Sequence, residues 1–222
     1  MTEDSAKFEV HTKIASLTDR EGNAYSIGGV QVTPAQNGKV FLCATDTRGL
    51  AITSENGSAS RGMIVPAKPI ERSARKNTVS IEINGQLTIK KMGRRGPVGE
   101  PDVSEFSDVK GRFPRVEDFL PKIGKGWRAI RLNPAVLAKI QEAMSIDDGS
   151  FPCVTILIPP ADRDDSGCVK PGCIPLVSGD SIGCIQSLDV DHSADEIAKR
   201  FNATAQAYRD AREAAISARS AE

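Results

Sequence analysis

Apolar and polar positions alternate with a period of two along much of the N-terminal half. Val30-Gln31-Val32-Thr33, Lys39-Val40-Phe41-Leu42-Cys43-Ala44, Leu50-Ala51-Ile52-Thr53, Met63-Ile64-Val65, Val79-Ser80-Ile81-Glu82-Ile83 and Gln86-Leu87-Thr88-Ile89-Lys90 are β-branched or alternating runs punctuated by Gly, Asn and Pro, the pattern of short strands. Asn84-Gly85 joins the last two as a hairpin turn. Gly93 to Lys125, rich in Gly, Pro and charge, reads as loop and connector. Arg128-Ala129-Ile130-Arg131-Leu132 then alternates. Asn133-Pro134 caps and opens a helix through about Met144, whose Val136, Leu137, Ile140 and Met144 share one face. Cys153 to Ile158, Ile174 to Val177 and Ile182 to Leu188 read as further strands. Ser193 to Glu222 reads as one Ala-rich helix with a Ser193-x-x-Glu196 capping box. Its thin apolar stripe, Ile197, Phe201, Tyr208, Ala211 and Ala215, is expected to dock on the chain's own body in preference to a neighbour.

These elements repeat. Met63 to Ala67, a short helix near Ile70 to Ala74, and the hairpin at Asn84-Gly85 resemble Ile130 to Ala135, its longer helix, and the strands after it. Phe8 to Thr53 is a looser first copy, because little between His11 and Asn23 reads as helix. A repeated βαβββ unit implies an α+β architecture with helices on one side of curved antiparallel sheets. The organisation expected is two units in 1–121, one unit in 122–190, and an appended C-terminal helix in 191–222.

Charge sharpens this picture locally. Lys plus Arg and Asp plus Glu are equal at 29 each, so any affinity for a polyanion must come from clustering. The segment 61–95 supplies it, with nine basic residues against two acidic; a solvated face is the bland alternative. No apolar run approaches the roughly 18 residues of a membrane span. The start, MTEDSAKFEV, carries neither secretory nor transit features, so a cytoplasmic protein is expected. Five cysteines read as reduced core thiols, with a redox pair of Cys168 and Cys173 across a turn left open. His11 and His192 with no CxxC give no credible zinc site. The acidic loop of Asp162, Asp164 and Asp165 is one local turn rather than convergent metal ligands. No P-loop, nucleophile elbow or Cys-His pair is present. The expectation is a protein without catalytic residues, metal or cofactor.

Four strings occur in the order, and near the spacing, of the middle domain of bacterial DNA sliding clamps: Ser26-Ile27-Gly28-Gly29-Val30, Cys43-Ala44-Thr45-Asp46-Thr47-Arg48-Gly49-Leu50-Ala51, Ile64-Val65-Pro66-Ala67-Lys68, and Gly111-Arg112-Phe113-Pro114-Arg115-Val116-Glu117-Asp118-Phe119-Leu120-Pro121. The chain resembles a shortened, divergent relative of the DNA polymerase III beta subunit. Trp127 to Val190 is similar to half of a clamp's last domain. Thr47-Arg48-Gly49 stands where the family usually has Gly-His-Arg, so the local shape and charge differ.

The resemblance implies a nucleoid-associated replication protein without chemistry of its own. Such a component holds double-stranded DNA without reading sequence and tethers a polymerase and other proteins that carry a clamp-binding motif. A clamp loader and a homo-oligomer go with it, a tetramer by unit count. Candidates for the DNA-facing wall are Lys68, Arg72, Arg75 and Lys76 on the second unit's helix and Lys139 on the third's. Lys90, Lys91, Arg94 and Arg95 could wrap a phosphate backbone. Carried over residue by residue, the partner-peptide groove includes Ile27, Thr45, Thr47, Arg48, Leu50, Pro114 and Phe119, with Cys184, Gln186 and Leu188 from the terminal strand. The bland reading makes Ile27, Leu50 and Phe119 core. A binding module that holds partner peptides without encircling DNA is the alternative function.

Overall fold

A computed structural model describes residues 5–11, 13–18, 28–46, 49–73, 78–109, 111–123, 132–144, 155–156, 173–178, 181–186 and 193–220. The chain divides into two units, Met1–Leu120 with Ala205–Glu222, and Pro121–Thr204.

In the first unit the expected strands form, several of them longer than their alternating runs: β1 (Ser5–Val10), β2 (Gly29–Pro34), β3 (Lys39–Thr45), β4 (Leu50–Ala59), β5 (Met63–Pro66), β6 (Thr78–Asn84) and β7 (Gln86–Gly93), with one more, β8 (Gly96–Glu105), in the stretch read as connector. They make one antiparallel sheet in the order β5-β2-β3-β4-β1-β6-β7-β8. The order exposes how the two repeats are joined. β1, the first strand of the first copy, pairs with β6 of the second along its whole length, while β5, the first strand of the second copy, pairs with β2 of the first. Each copy thus lends its leading strand to the other, and neither sheet half is complete alone.

Helix α1 (Ala67–Ser73) sits between β5 and β6. Among the described residues the first copy has a single 3-10 turn, Ile14–Leu17, at the corresponding place. That turn is still anchored, because Ile14 and Ala15 are buried. Ala67 and Ile70 of α1 join them over a core built from one face of the sheet: Phe8 and Val10, Val30 and Val32, Val40 and Leu42, Met63 and Val65, Val79, Ile81 and Ile83, Leu87 and Ile89. Both helical segments therefore lie on one side of a curled sheet, as the repeat implied.

The opposite face of β3 and β5 is buried too. Phe41, Cys43 and Ile64, which alternate with the core positions, pack with Phe113, Val116 and Tyr208. Burial on both faces explains why Val40 to Ala44 is continuously apolar rather than alternating with charge. Tyr208 comes from α3 (Ala194–Ser220), whose capping box forms as expected: Ser193 Oγ accepts from the Glu196 amide at 3.2 Å, and Glu196 Oε2 accepts from the Ser193 amide at 2.9 Å.

One expectation is overturned. The stretch after Gly93, read as connector, begins with strand β8, which pairs with β7 back to a two-residue turn at Arg94-Arg95. Its side chains are exposed throughout, apart from the half-buried Gly96, so no inward face generates alternation. Pro97 and Pro101 are tolerated because an edge strand leaves one row of amides unpaired anyway.

In the second unit α2 (Pro134–Met144) starts where Asn133 caps it, the Asn133 Oδ1 accepting from the amide of Ala135 at 3.0 Å. β9 (Thr155–Ile156), β10 (Cys173–Ser178) and β11 (Ser181–Gln186) form an antiparallel sheet in the order β11-β10-β9. Asn202 of α3 pairs with the backbone of Ile123, donating to its carbonyl at 2.8 Å and accepting from its amide at 3.1 Å. Asp162, Asp164, Asp165 and Cys168 lie outside the described residues. Among the described residues no helix is long and apolar enough to cross a membrane.

Candidate peptide groove and nucleic-acid face

The candidate groove residues Thr45 and Leu50 are brought together where β3 passes into β4. Thr45, buried, donates from Oγ1 to the Gly49 carbonyl at 2.6 Å, and the Gly49 amide donates to Asp46 Oδ1 at 2.7 Å. This double bracket holds Leu50 directly opposite Thr45 in the strand pairing. Leu50 is half-buried and packs against the cluster of Phe41, Cys43, Ile64, Phe113, Val116 and Tyr208. Pro114 is half-buried beside Phe113. The 3-10 turn Val116–Phe119 follows and ends in Phe119, which is 78 % exposed. A core role is thereby excluded for Phe119, and Leu50 stands at the edge of the apolar cluster rather than inside it. Cys184 and Gln186 lie on β11 of the second unit, where only their backbone is described; Ile27, Thr47, Arg48 and Leu188 lie outside the described residues.

Sequence reasoning missed a clasp around this segment. Arg209 of α3 donates from Nη2 to the Leu120 carbonyl at 2.9 Å and from Nε to the Glu117 carbonyl at 3.4 Å. Arg212 Nε lies 3.6 Å from Glu117 Oε2, both side chains being buried. The stripe containing Tyr208 was legible, but nothing in the sequence marks Arg209 and Arg212 as different from the other cations of an Ala-rich surface helix.

Thiol chemistry has no place here. Burial pushes the Cys43 thiol up to about 12, against a smaller lowering by its contact with the Tyr208 hydroxyl. Burial likewise holds the Tyr208 hydroxyl above its ordinary range, with Cys43 adding to the rise. Both groups are neutral at pH 7, and each serves as packing. Among the described residues, no group of three or more His, Cys, Asp or Glu side chains could hold a metal ion.

The candidate DNA contacts divide by strand parity. Lys68 is exposed on α1, on the helix-bearing side. Lys91 is exposed opposite the core residue Val79, which places it on that same side, whereas Lys90 pairs with Ser80 on the other face and approaches Glu82 at 3.7 Å. Glu82 is also 4.0 Å from Lys7, and such exposed pairs contribute about 0–1 kcal/mol. Arg94 and Arg95 are exposed at the hairpin tip. Lys139 is exposed on α2. Arg72 lies in α1, but its side chain is outside the described set, as are Arg75 and Lys76 altogether.

Comparison with solved structures gives the architecture its name. A beta sliding clamp from Caulobacter crescentus superposes with a TM-score of 0.52 at 17 % identity, over 93 % of this chain and 58 % of that one. A DNA polymerase sliding clamp from Bacillus subtilis gives 0.55 at 14 % identity, over 82 % and 49 %. The one from Pseudomonas aeruginosa gives 0.55 at 15 %, over 86 % and 54 %. This chain has the bacterial sliding-clamp fold. It spans only about half the length of these clamp chains. No protein-family model and no curated protein matches the sequence. The clamp fold explains why the interlaced leading strands and the one-sided helices occur together, for both belong to one paired-repeat design. Among the described residues the helical element of the first copy is the 3-10 turn, with two buried side chains.

Proposed function

We propose that this chain is a sliding-clamp-like processivity factor, which encircles or sits on duplex DNA and tethers polymerase and other replication or repair proteins through the groove beside Leu50 and Phe119. The observation that carries this reading is the pair of interlaced βαβββ copies with their helical segments gathered on one side, where Lys68 and Lys91 are exposed. Cations on a helical wall attract phosphates by releasing counterions, and no side chain need enter a groove to read a base. Arg94 and Arg95 at the hairpin tip and Lys139 on α2 extend the same chemistry, while Lys90 contributes least because Glu82 competes for it. The role is one of holding, without chemistry on the DNA, in the cytoplasm of the cell. Because the chain is about half a clamp chain in length, closure requires several copies; four satisfy the unit count, with a loader to open the assembly.

The decisive experiment is retention on nicked circular DNA before and after linearisation, after loading with a clamp loader. A ring is expected to lose retention by about tenfold or more on linearisation at a salt concentration that suppresses simple phosphate contacts. Retention independent of topology, together with a strict monomer at micromolar concentration, would reject encirclement.

The groove has a separate test. A fluorescent peptide carrying a clamp-binding motif is expected to bind at micromolar strength, and Leu50→Asp to weaken it by about thirtyfold, as loss of a central apolar anchor does. Unchanged binding by Leu50→Asp would place the peptide elsewhere, and no binding to the parent chain at low salt would remove the groove.

A further inference from the structure

A concavity opens beside Phe113. It is a cavity of about 370 Å³ between the last turns of α3, β5 and the segment 111–115, within the ~300–1,000 Å³ range of small-molecule sites. Arg212 lines it and is only 8 % exposed. Its Nε and the Oε2 of Glu117 face each other at 3.6 Å, close enough to attract but beyond hydrogen-bond reach, and both atoms are buried without a hydrogen-bond partner among the described residues. A guanidinium carries five N–H donors, and buried donors ordinarily meet acceptors.

Arg112 and Arg115 line the same cavity. Arg115 is drawn to Asp118 at 3.3 Å and to Glu117 at 3.6 Å. Arg115 and Arg212 thus share two carboxylates, and Arg112 leaves the local balance of these side chains positive. The remaining wall is apolar: Ile64 and Phe113 are buried at its base, and Ile216, 45 % exposed, stands toward solvent. An inorganic anion would satisfy the arginines but leave that wall against water. A neutral apolar molecule would cover the wall but offer the buried Arg212 guanidinium no acceptor.

We propose that this cavity binds an organic carboxylate carrying a compact apolar body, the carboxylate received by Arg212 with Arg112 and the body by Ile64, Phe113 and Ile216. A planar carboxylate can accept two parallel N–H bonds from one guanidinium, which gives orientation as well as affinity. The cavity shares no residue with the candidate groove lining or the candidate DNA contacts, although Arg212 also belongs to the clasp on the groove segment.

Calorimetric titration of the full chain with 4-phenylbutyrate tests it. Binding is expected, with the neutral 4-phenylbutyramide and inorganic phosphate each weaker by about tenfold or more, the equivalent of one lost charge-assisted hydrogen bond or of the lost apolar contact. Arg212→Met is expected to abolish binding. Because that change also strands Glu117, the second variant is Ile216→Trp, at an exposed helical position, which fills the cavity without touching the ion pair. It should remove binding while the thermal unfolding midpoint stays unchanged. Equal affinity for the amide or for phosphate, undiminished binding by Ile216→Trp, or no binding of phenylbutyrate at millimolar concentration would each overturn the assignment.

Discussion

Gly57→Ala is expected to destabilise the chain by about 4 kcal/mol, the sum of a backbone overlap and a strained dihedral. Gly57 lies in β4 opposite Phe8 of β1, at the point where β4 leaves its pairing with β3 and takes up pairing with β1. Its φ of +154° lies where L side chains rarely go, and a Cβ there would meet the Lys7 carbonyl oxygen at 2.4 Å and the Phe8 Cα at 2.6 Å. Those are backbone atoms in the middle of an eight-stranded sheet, so no side-chain rotation relieves the contact. Gly38→Ala is the matched control, because Gly38 has φ +67° but nothing within 4 Å of the position a methyl would take; it should cost about 1 kcal/mol from the dihedral alone. Urea unfolding of both variants separates the two contributions. If Gly57→Ala loses no more than Gly38→Ala, the close approach of β1 and β4 relaxes freely and the join between the repeats is softer than its geometry implies.

Gly57 also marks where the sequence stops being readable. The pattern of Leu50 to Thr53 is plain strand, but Ser54-Glu55-Asn56-Gly57-Ser58-Ala59 has the composition of a loop. It is strand because its neighbours demand it: β3 pairs it to Asn56, and β1 takes over from Gly57. β8 was hidden for a related reason, an edge strand without a buried face having no alternation to detect. The central strands, α2 and the α3 cap were legible because each carries a strong local signal, whether apolar period, Asn-Pro or Ser-x-x-Glu. The interlacing of the repeats was not, since pairing partners are chosen by packing across the sheet and leave no trace in either strand alone.

The candidate site shows the same division. Thr45 and Leu50 come together because a short turn between adjacent strands makes them neighbours, and Phe119 stays exposed because a single 3-10 turn is too short to bury its last residue. What encloses the segment from Phe113 to Leu120 comes from about ninety residues further along. A contact of that separation rests on tertiary docking alone, and its arginines look like ordinary surface cations until the helix is in place.

That docking hinges on one side chain, and Tyr208→Ala is expected to destabilise the chain by about 3–5 kcal/mol, the range for deleting a fully buried aromatic ring. Tyr208 has no exposed surface. Its ring meets that of Phe41 edge-on, with centroids 5.6 Å apart and planes at 87°, and its hydroxyl donates to Gln31 Oε1 at 3.3 Å. Tyr208→Phe keeps the ring and should lose only about 1 kcal/mol, the worth of one ordinary hydrogen bond. The two variants therefore distinguish a packing anchor from a polar one. The consequence for the groove follows from Arg209 and Arg212, which hold the carbonyls of Glu117 and Leu120 and the Glu117 carboxylate only while Tyr208 fixes the helix. Amide hydrogen exchange should accordingly rise in two places in Tyr208→Ala, along 205–218 and along 113–120, and stay unchanged in β6 and β7. Faster exchange confined to α3 would mean that the groove segment keeps its shape without the helix, and that the arginine clasp follows the groove rather than forming it.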